Sequence, residues 1–273
     1  IINQGTRFQP FQIVIGVVGI AVLIELTRRC VGLPILCVAG FFLIYALSYG
    51  LTNPSFFGRV RYLVRNLFYT KEGIFSTPVN VCSKYIVVFI IFGAFLERTG
   101  ISNFFIQLAN CAAGRYAGGP AKVAVISSAL CGMVSGSSVG NTVTTGSVTI
   151  PMMKKTGYKA EFAGAVEAAA STGGQIMPPI MGAAAFLMAD FVGVPYSNII
   201  ARAILPAVLY FAGIFISVHL EAKKLGLSGI PKEQLPVFRL LIRKIYLLLP
   251  LVMLVVWVSG NYMTMQKAAS YAI

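Results

Sequence analysis

The sequence predicts an all-α integral membrane protein with several helices that cross the bilayer. Of the 273 residues, 57% are hydrophobic and only 11% are charged, and the mean hydropathy is +0.82. Soluble domains contain about 25% charged residues, so this composition excludes an ordinary soluble protein. The apolar residues form continuous blocks and do not alternate with polar ones, which favours helices over the strands of an outer-membrane barrel.

Five apolar blocks are at or near the roughly 17–25 residues that a helix needs to cross the hydrocarbon core. They are residues 11–26, 33–50, 85–97, 203–220 and 244–260. Two other segments have a different pattern. In 54–73 arginines interrupt aromatic and aliphatic residues, which predicts a helix lying in the membrane interface. Segment 101–119 ends in glycines and predicts a second surface helix.

The net charge of +14 indicates membrane topology rather than a nucleic-acid partner. Most of the 22 Lys and Arg residues lie in loops between the apolar blocks. If Arg28 and Arg29 are placed in the cytoplasm, the later basic clusters fall on the same side, as the positive-inside rule requires. The five cysteines contain no C-x-x-C pair, so the sequence indicates neither a disulfide framework nor a zinc site.

Two short helices follow residue 119. Residues 120–135 and 143–155 give helices of about 24 and 20 Å, and the second is short for a bilayer core of roughly 30 Å. Both outer ends are basic, so the pair predicts a re-entrant hairpin, 120–155, that enters from the cytoplasm and turns back inside the membrane. The predicted turn is SGSSVGNT, residues 135–142.

A discontinuous transmembrane helix is predicted next, over 158–192. Gly173-Gly174 and Pro178-Pro179 interrupt this apolar stretch, because glycine loosens the backbone and proline removes a helical hydrogen bond. Irregular backbone at membrane depth is tolerated where it is buried in protein or lines a wet cavity. A hairpin tip beside a broken helix is typical of the ion and substrate sites of secondary transporters. Free carbonyls and hydroxyl or amide oxygens suit a small cation, whereas free helix amides suit a carboxylate.

The tip also supports two other interpretations. Residues 136–140 match G-x-S-x-G, which would make Ser138 the nucleophile of an intramembrane serine hydrolase, but no strand precedes it and the only histidine, His219, lies on another helix. Gly132, Gly136 and Gly140 would also form a helix-packing ridge. More polar side chains surround the tip than packing needs, which favours a binding site: Ser135, Ser137, Ser138, Asn141, Thr142, Thr144 and Thr145.

Glu167 is the acidic residue closest to the middle of an apolar stretch, and an intramembrane carboxylate is by default a functional hypothesis. It is either a proton carrier, which would make the transporter proton-coupled, or a structural partner of a nearby cation or hydroxyl. Glu97 and Asp190 lie near predicted helix ends, so we expect them to be solvated.

One long run of the sequence carries a family resemblance. It reads GRYAGGPAKVAVISSALCGMVSGSSVGNTVTTGSVTIPMMKK and continues after Thr156 with GYKAEFAGAVEAAASTGGQIMPPIMGAAAFLMADFVGVPY. This run resembles the large membrane subunit of the tripartite ATP-independent periplasmic (TRAP) transporters. More narrowly, it resembles the fused permeases that work with TAXI-type substrate-binding proteins. The similarity extends from residues 27–35 through 92–100 to 219–227. Gly140 stands where the family has Ala, and Asp190 where Glu is usual.

The resemblance implies a sodium-driven permease of the cell inner membrane that takes an organic anion, commonly a carboxylate, from an extracytoplasmic binding protein of TAXI type by an elevator-like movement. It implies no cofactor besides Na⁺ and no enzymatic reaction. The implied Na⁺ ligands are Ser137, Ser138, Asn141 and Gly173. The implied lining of the ion and substrate site adds Thr142, Thr172, Gly174 and Pro178.

The resemblance also implies a division of the chain. Residues 1–119 are expected to be scaffold helices with interfacial arms, 120–193 the mobile half, and 194–273 further transmembrane helices with the start of a next segment. The family's core has two inverted repeats, and this chain contains the pattern of the first. We therefore expect the second repeat on the rest of a longer permease.

Overall fold

A computed structural model describes residues 9–49, 55–231, 233, 235, 236, 238–260 and 262–273. All regular structure in these ranges is helical, which confirms the predicted all-helical fold. Residues 1–8 of the predicted scaffold, Gly50 of the second apolar block and Pro54 of the predicted interfacial segment lie outside the described residues. The chain divides into two units, Ile1–Asn80 and Val81–Ile273.

In its described residues the first unit contains α1 (Pro10–Cys30), α2 (Leu33–Tyr49), α3 (Phe56–Tyr69) and the first four residues of α4 (Thr77–Val81). Glycine lets α3 lie directly on α1, because a Cβ at Gly16 would come within 2.5 Å of Val64 Cγ1. The Tyr69 hydroxyl donates a hydrogen bond of 2.6 Å to the carbonyl of Gln12. The predicted interfacial segment is thus a helix packed along α1.

The second unit contains the hairpin and the broken helix. A helix begins as α4 (Thr77–Val81), continues through a π-helical turn (Cys82–Ile86) and ends as α5 (Val87–Arg98). The helices that follow are α6 (Ile101–Ala113), α7 (Gly119–Ser135), α8 (Ser138–Lys155), α9 (Ala160–Gly173), α10 (Ala183–Val192), α11 (Tyr196–Lys224), α12 (Phe238–Ile242), α13 (Leu249–Ser259) and α14 (Met265–Ala272).

Three helices among the described residues are long and apolar enough to cross a membrane: Pro10–Cys30, Thr77–Arg98 and Tyr196–Lys224. Shorter apolar helices include Leu33–Ser48 and Gly119–Ser135. The predicted span 244–260 differs from expectation, because it begins as a 3₁₀ turn and only Leu249–Ser259 is α-helical. These helices make the chain an integral membrane protein.

The core of the second unit surrounds α7. One face of α6 is buried against it, including Phe104, Phe105 and Ala109. Phe92 and Leu96 of α5 belong to the same apolar core. The segment predicted as a surface helix over 101–119 therefore contributes a buried face to the body that carries the hairpin.

Candidate ion and substrate site

The hairpin turn is shorter than the sequence predicts. Helix α7 ends at Ser135, and α8 already begins at Ser138, so only Gly136 and Ser137 lie between them. Gly136 has a left-handed backbone (φ 60°), which glycine adopts without strain. The Ser137 hydroxyl caps α8 by accepting a hydrogen bond of 3.2 Å from the Gly140 amide. Our prediction of a turn over 135–142 was wrong, because this cap lets the helix start early.

The interruption of the second predicted element is present. Helix α9 ends at Gly173, a 3₁₀ turn covers Gly174–Ile176, and the next helix starts at Ala183. Neighbouring elements supply partners for the backbone of the break. The Ile180 amide donates to the Met133 carbonyl of α7 at 3.3 Å. The Tyr196 hydroxyl accepts from the Met181 amide at 3.3 Å and donates to the Pro179 carbonyl at 3.0 Å.

The structure brings the hairpin tip and the break together. The backbones of Gly132 and Gly174 are in direct contact, because a Cβ at Gly132 would lie 2.3 Å from the Cα of Gly174. A Cβ at Gly136 would lie 3.0 Å from the Met181 carbonyl oxygen. Gln175 Nε2 donates to Ser138 Oγ at 3.2 Å. Two segments about forty residues apart in the sequence thus form one local structure.

Asn141 is the most buried of the predicted polar ligands, with 1% of its surface exposed. Its Nδ2 donates to the carbonyl of Ser128 at 2.8 Å, and Cβ atoms at Gly132 and Gly174 would lie 3.3–3.4 Å from that nitrogen. Its Oδ1 is buried without a hydrogen-bond partner. A buried amide oxygen without a partner is costly, so Asn141 Oδ1 is an acceptor that remains open to a donor or a cation.

The other predicted residues are placed less centrally. The hydroxyls of Thr142 and Thr172 donate to carbonyls of their own helices, both at 2.8 Å. A Cβ at Gly173 would meet the ring of Tyr210 on α11 at 2.5 Å, so Gly174 is the glycine in contact with α7. Pro178 is half-buried within the break.

Glu167 is fully buried and lies among hydroxyl groups. Its carboxylate accepts hydrogen bonds from Ser128 Oγ at 2.6 Å, Thr149 Oγ1 at 2.5 Å and Ser171 Oγ at 3.1 Å, and from Thr145. We call these five residues the Glu167 cluster. Sequence reasoning did not pick out Ser128, Thr149 and Ser171. The signal was the spacing of four residues between Thr145 and Thr149 and between Glu167 and Ser171, which places each pair on one helix face.

Comparison with known proteins identifies the family. Residues 18–273 match the family described as the tripartite ATP-independent periplasmic transporter, DctM component. The chain belongs to this TRAP large permease family.

Three curated relatives agree with this assignment. The C4-dicarboxylate TRAP transporter large permease protein DctM of Pseudomonas aeruginosa is 27% identical over 202 residues, which cover 73% of this chain and 47% of the relative. DctM of Vibrio cholerae is 28% identical over 145 residues, or 53% of this chain and 31% of the relative. A putative TRAP transporter large permease protein of Haemophilus influenzae is 29% identical over 144 residues, or 53% and 33%. The chain spans about half or less of the length of these relatives.

In this TRAP permease chain, Ser138 and His219 lie at opposite ends of α7. His219 Nδ1 is 3.1 Å from Lys122 Nζ, in the first turn of α7, whereas Ser138 follows the last turn. A helix of 17 residues is about 25 Å long. The imidazole is therefore too far from the Ser138 hydroxyl to act as its base. The curated relatives are likewise named as transporter permeases.

The glycine spacing at the tip of the permease chain is not a continuous packing ridge. Gly132 packs against Gly174, and Gly136 forms the turn. A Cβ at Gly140 would have only the side chain of Ser137 within 4 Å. Gly132 and Gly136 thus lie against the break, whereas Gly140 does not.

A cavity of about 650 Å³ lies elsewhere in the second unit. Its wall includes Lys84, Tyr85, Asp190 and Tyr196. Tyr196 connects it to the break, because its ring lines the cavity and its hydroxyl bonds the backbone of Pro179 and Met181. The rings of Phe186 and Tyr196 stack with centroids 4.6 Å apart. The cavity is consequently coupled by direct contact to the backbone of the break.

Proposed function

We propose that this chain forms part of the permease of a sodium-coupled secondary transporter that imports an organic anion delivered by an extracytoplasmic binding protein. The observation that carries the proposal is the contact of the hairpin tip with the broken helix, with the unpartnered Oδ1 of Asn141 buried beside it. Membership of the TRAP large permease family supports the same conclusion. We propose that the permease lies in the cell inner membrane.

Sodium is the proposed coupling ion, because the chemistry around the tip consists of neutral oxygens. Asn141 contributes the uncommitted oxygen, and Ser137, Ser138 and the backbone at Gly173 lie on the hairpin and on the break. Hard oxygen ligands of this kind suit a small cation that has lost its water. In this proposal the bound sodium ion stabilises the contact between the hairpin tip and the break.

A carboxylate is the proposed substrate class. Two of the relatives described above are named for C4-dicarboxylates. In this chain the N-terminus of α8, an 18-residue helix, lies at the tip, where its free amides and its dipole favour a negative charge. Thr142, Thr172 and Pro178 would line this part of the substrate path.

An elevator movement is proposed for the transport step. The hairpin (120–155) and the broken helix (158–192) would move as one body, and a second inverted repeat on the rest of the permease would complete the site. Because α5 and α6 bury apolar faces against α7, sliding past them would expose that surface. We therefore extend the proposed moving part from 120–193 to include both helices. The proposed binding protein is of TAXI type.

Proton coupling through Glu167 has less support. The carboxylate has no exposed surface, and four hydroxyls already donate to it. A proton carrier needs a path to water on each side of the membrane, whereas this group joins three helices. The geometry favours the structural role for Glu167.

The proposal is tested by uptake into proteoliposomes that contain the full-length permease and its binding protein. We expect uptake of a dicarboxylate to follow an inward sodium gradient and to fall to background when sodium is replaced by choline. Undiminished uptake without the gradient would refute sodium coupling. If the permease takes up another substrate with sodium, but neither transports dicarboxylates nor is inhibited by them, the proposed substrate class alone is refuted.

The role of Asn141 is tested by Asn141→Ala in the same assay. We expect the sodium concentration for half-maximal uptake to rise about tenfold or more, since a charge-assisted contact is lost. Asn103→Ala, an exposed asparagine on α6, is the matched control and should behave as wild type. Unchanged sodium dependence in Asn141→Ala would show that the tip is not an ion site.

A further inference from the structure

A small crevice lined by apolar and polar residues lies between the hairpin and helices α5 and α6. Its volume is about 20 Å³, which accommodates one particle of the size of a water molecule. Its polar wall residues come from four helices: Glu97, Ser102, Ser135, Asn141 and Thr144. We call this space the Glu97 crevice.

Glycine brings α5 close enough to form the crevice. A Cβ at Gly93 would lie 2.9 Å from the carbonyl oxygen of Val134 on α7, so a larger residue there would push the helices apart. Glu97 follows one helical turn after Gly93 and is therefore on the same face of α5. The close approach of the two helices thus delivers a carboxylate to the hairpin.

The charge of Glu97 is not offset by a neighbouring cation. None of the three ion pairs in the described part of the chain includes Glu97, and its hydrogen-bond donor is the Thr144 hydroxyl at 2.6 Å. It also lies in the last turn of α5, where the helix dipole disfavours a negative charge. A cation bound beside this carboxylate would relieve both effects.

A second and independent feature is Asn141, which also lines the crevice. Its Nδ2 is committed to Ser128 on α7, and its Oδ1 is buried without a partner. A cation would give this oxygen a partner and gain a neutral ligand. Ser102 and Ser135 add hydroxyl oxygens to the same wall.

We propose that the Glu97 crevice binds a single monovalent cation, Na⁺, through the Glu97 carboxylate and the Asn141 amide oxygen. One carboxylate compensates the charge of one monovalent cation, and the neutral oxygens of Asn141, Ser102 and Ser135 on the same wall are hard ligands that suit a small ion. This inference rests on the proposed sodium dependence but places a charged ligand on α5, outside the hairpin and the break. The sequence predicted that Glu97 is solvated, and Glu97 is exposed in the structure; its contact with the hairpin through Thr144 was not predicted.

The site has a mechanical consequence. Glu97 belongs to α5, whereas Asn141 and Thr144 belong to α8. A cation held by both would strengthen the link between α5 and the hairpin within the proposed moving body. Release of the ion would weaken that link.

The test is sodium-dependent thermal stability of the purified full chain in detergent, with choline chloride keeping the ionic strength constant. A ligand that binds the folded state raises the Tm in proportion to the logarithm of its concentration above Kd. We expect wild type to show this rise and Glu97→Gln to need about tenfold more sodium or more for the same shift. Glu161→Gln, an exposed glutamate at the start of α9, is the matched control and should follow wild type.

Thr144→Val provides a second variant if Glu97→Gln does not fold, and it should also raise the sodium requirement. Wild-type sodium dependence in the foldable variants, with dependence lost in Asn141→Ala, would overturn the crevice site and leave the proposed function standing. The absence of any sodium response in wild type would overturn both the crevice site and sodium coupling.

Discussion

Thr144 and Thr145 are neighbours on α8, yet each donates a hydrogen bond to a different glutamate in a different environment. Thr145 faces Glu167, which has no exposed surface and four hydroxyl donors. Thr144 faces Glu97, which is exposed and accepts from that one hydroxyl. The Glu167 cluster is a completed network, whereas the Glu97 crevice retains the capacity to bind a ligand.

The difference shows that a carboxylate in a membrane protein is not a functional group by residue type alone. Glu167 lies in the more apolar stretch of the sequence, and its hydrogen bonds join α7, α8 and α9. Glu97, at a helix end, lies beside an unpartnered amide oxygen. Buried polar groups with all their hydrogen bonds stabilise one arrangement of the helices, whereas a buried polar group without a partner indicates where a ligand can bind.

Glu167→Ala provides the most severe test of this comparison. We expect the free energy of unfolding to fall by about 3 kcal/mol or more, because a cavity is left and four buried hydroxyls lose the carboxylate as a partner. Glu97→Ala, measured without sodium, should change it by no more than about 0.5 kcal/mol. Denaturation of both variants in detergent measures these values, and equal losses would contradict the comparison.

Gly132→Ala tests the contact that holds Asn141 in place. The added methyl meets the backbone of Gly174, so we expect a loss of about 1–3 kcal/mol in the free energy of unfolding. Gly164→Ala on α9 is the control, because no atom lies within 4 Å of its Cβ position, and it should stabilise the helix by up to about 1 kcal/mol. The same denaturation assay applies. A tolerated Gly132→Ala would show that the two backbones have room to separate.

Thr145→Val and Thr144→Val give the smallest effects and the most direct contrast. Thr145→Val should destabilise the protein by about 0.6–1.7 kcal/mol, the usual range for a hydrogen bond between membrane helices, and leave the sodium affinity unchanged. Thr144→Val should have little effect on stability and should weaken sodium binding. Thermal unfolding with and without sodium separates the two effects, and the reverse pattern would exchange the proposed roles.

Much of the fold was predictable from local sequence patterns. Apolar blocks predicted α1, α2 and α11, and the pairs Gly173-Gly174 and Pro178-Pro179 predicted the interruption between α9 and α10. The predicted turn at the hairpin tip was too long, because the Ser137 cap and the left-handed backbone of Gly136 let α8 begin earlier than an open loop would. Such caps depend on geometry that composition does not specify.

The proximity of the hairpin tip to the break was predicted, but not every contact around it. Asn141 and Gly174 were expected beside each other, and the structure places them in contact distance. Glu97 was expected to be solvated near a helix end, and it is exposed in the structure, but its hydrogen bond to the hairpin was not predicted. Its contact with Thr144 depends on the close approach of α5 to α7 at Gly93, and no local pattern encodes which helix becomes the neighbour.

The sequence by itself determined that the chain is helical and membrane-embedded, and that its polar residues gather at a turn and at a break. Only the tertiary structure decided which of those polar residues are saturated and which are open. The reason is geometric. Neighbours on a helix, such as Thr144 and Thr145, point about 100° apart, and the helices packed on each side determine whether a hydroxyl completes a buried network or borders a crevice.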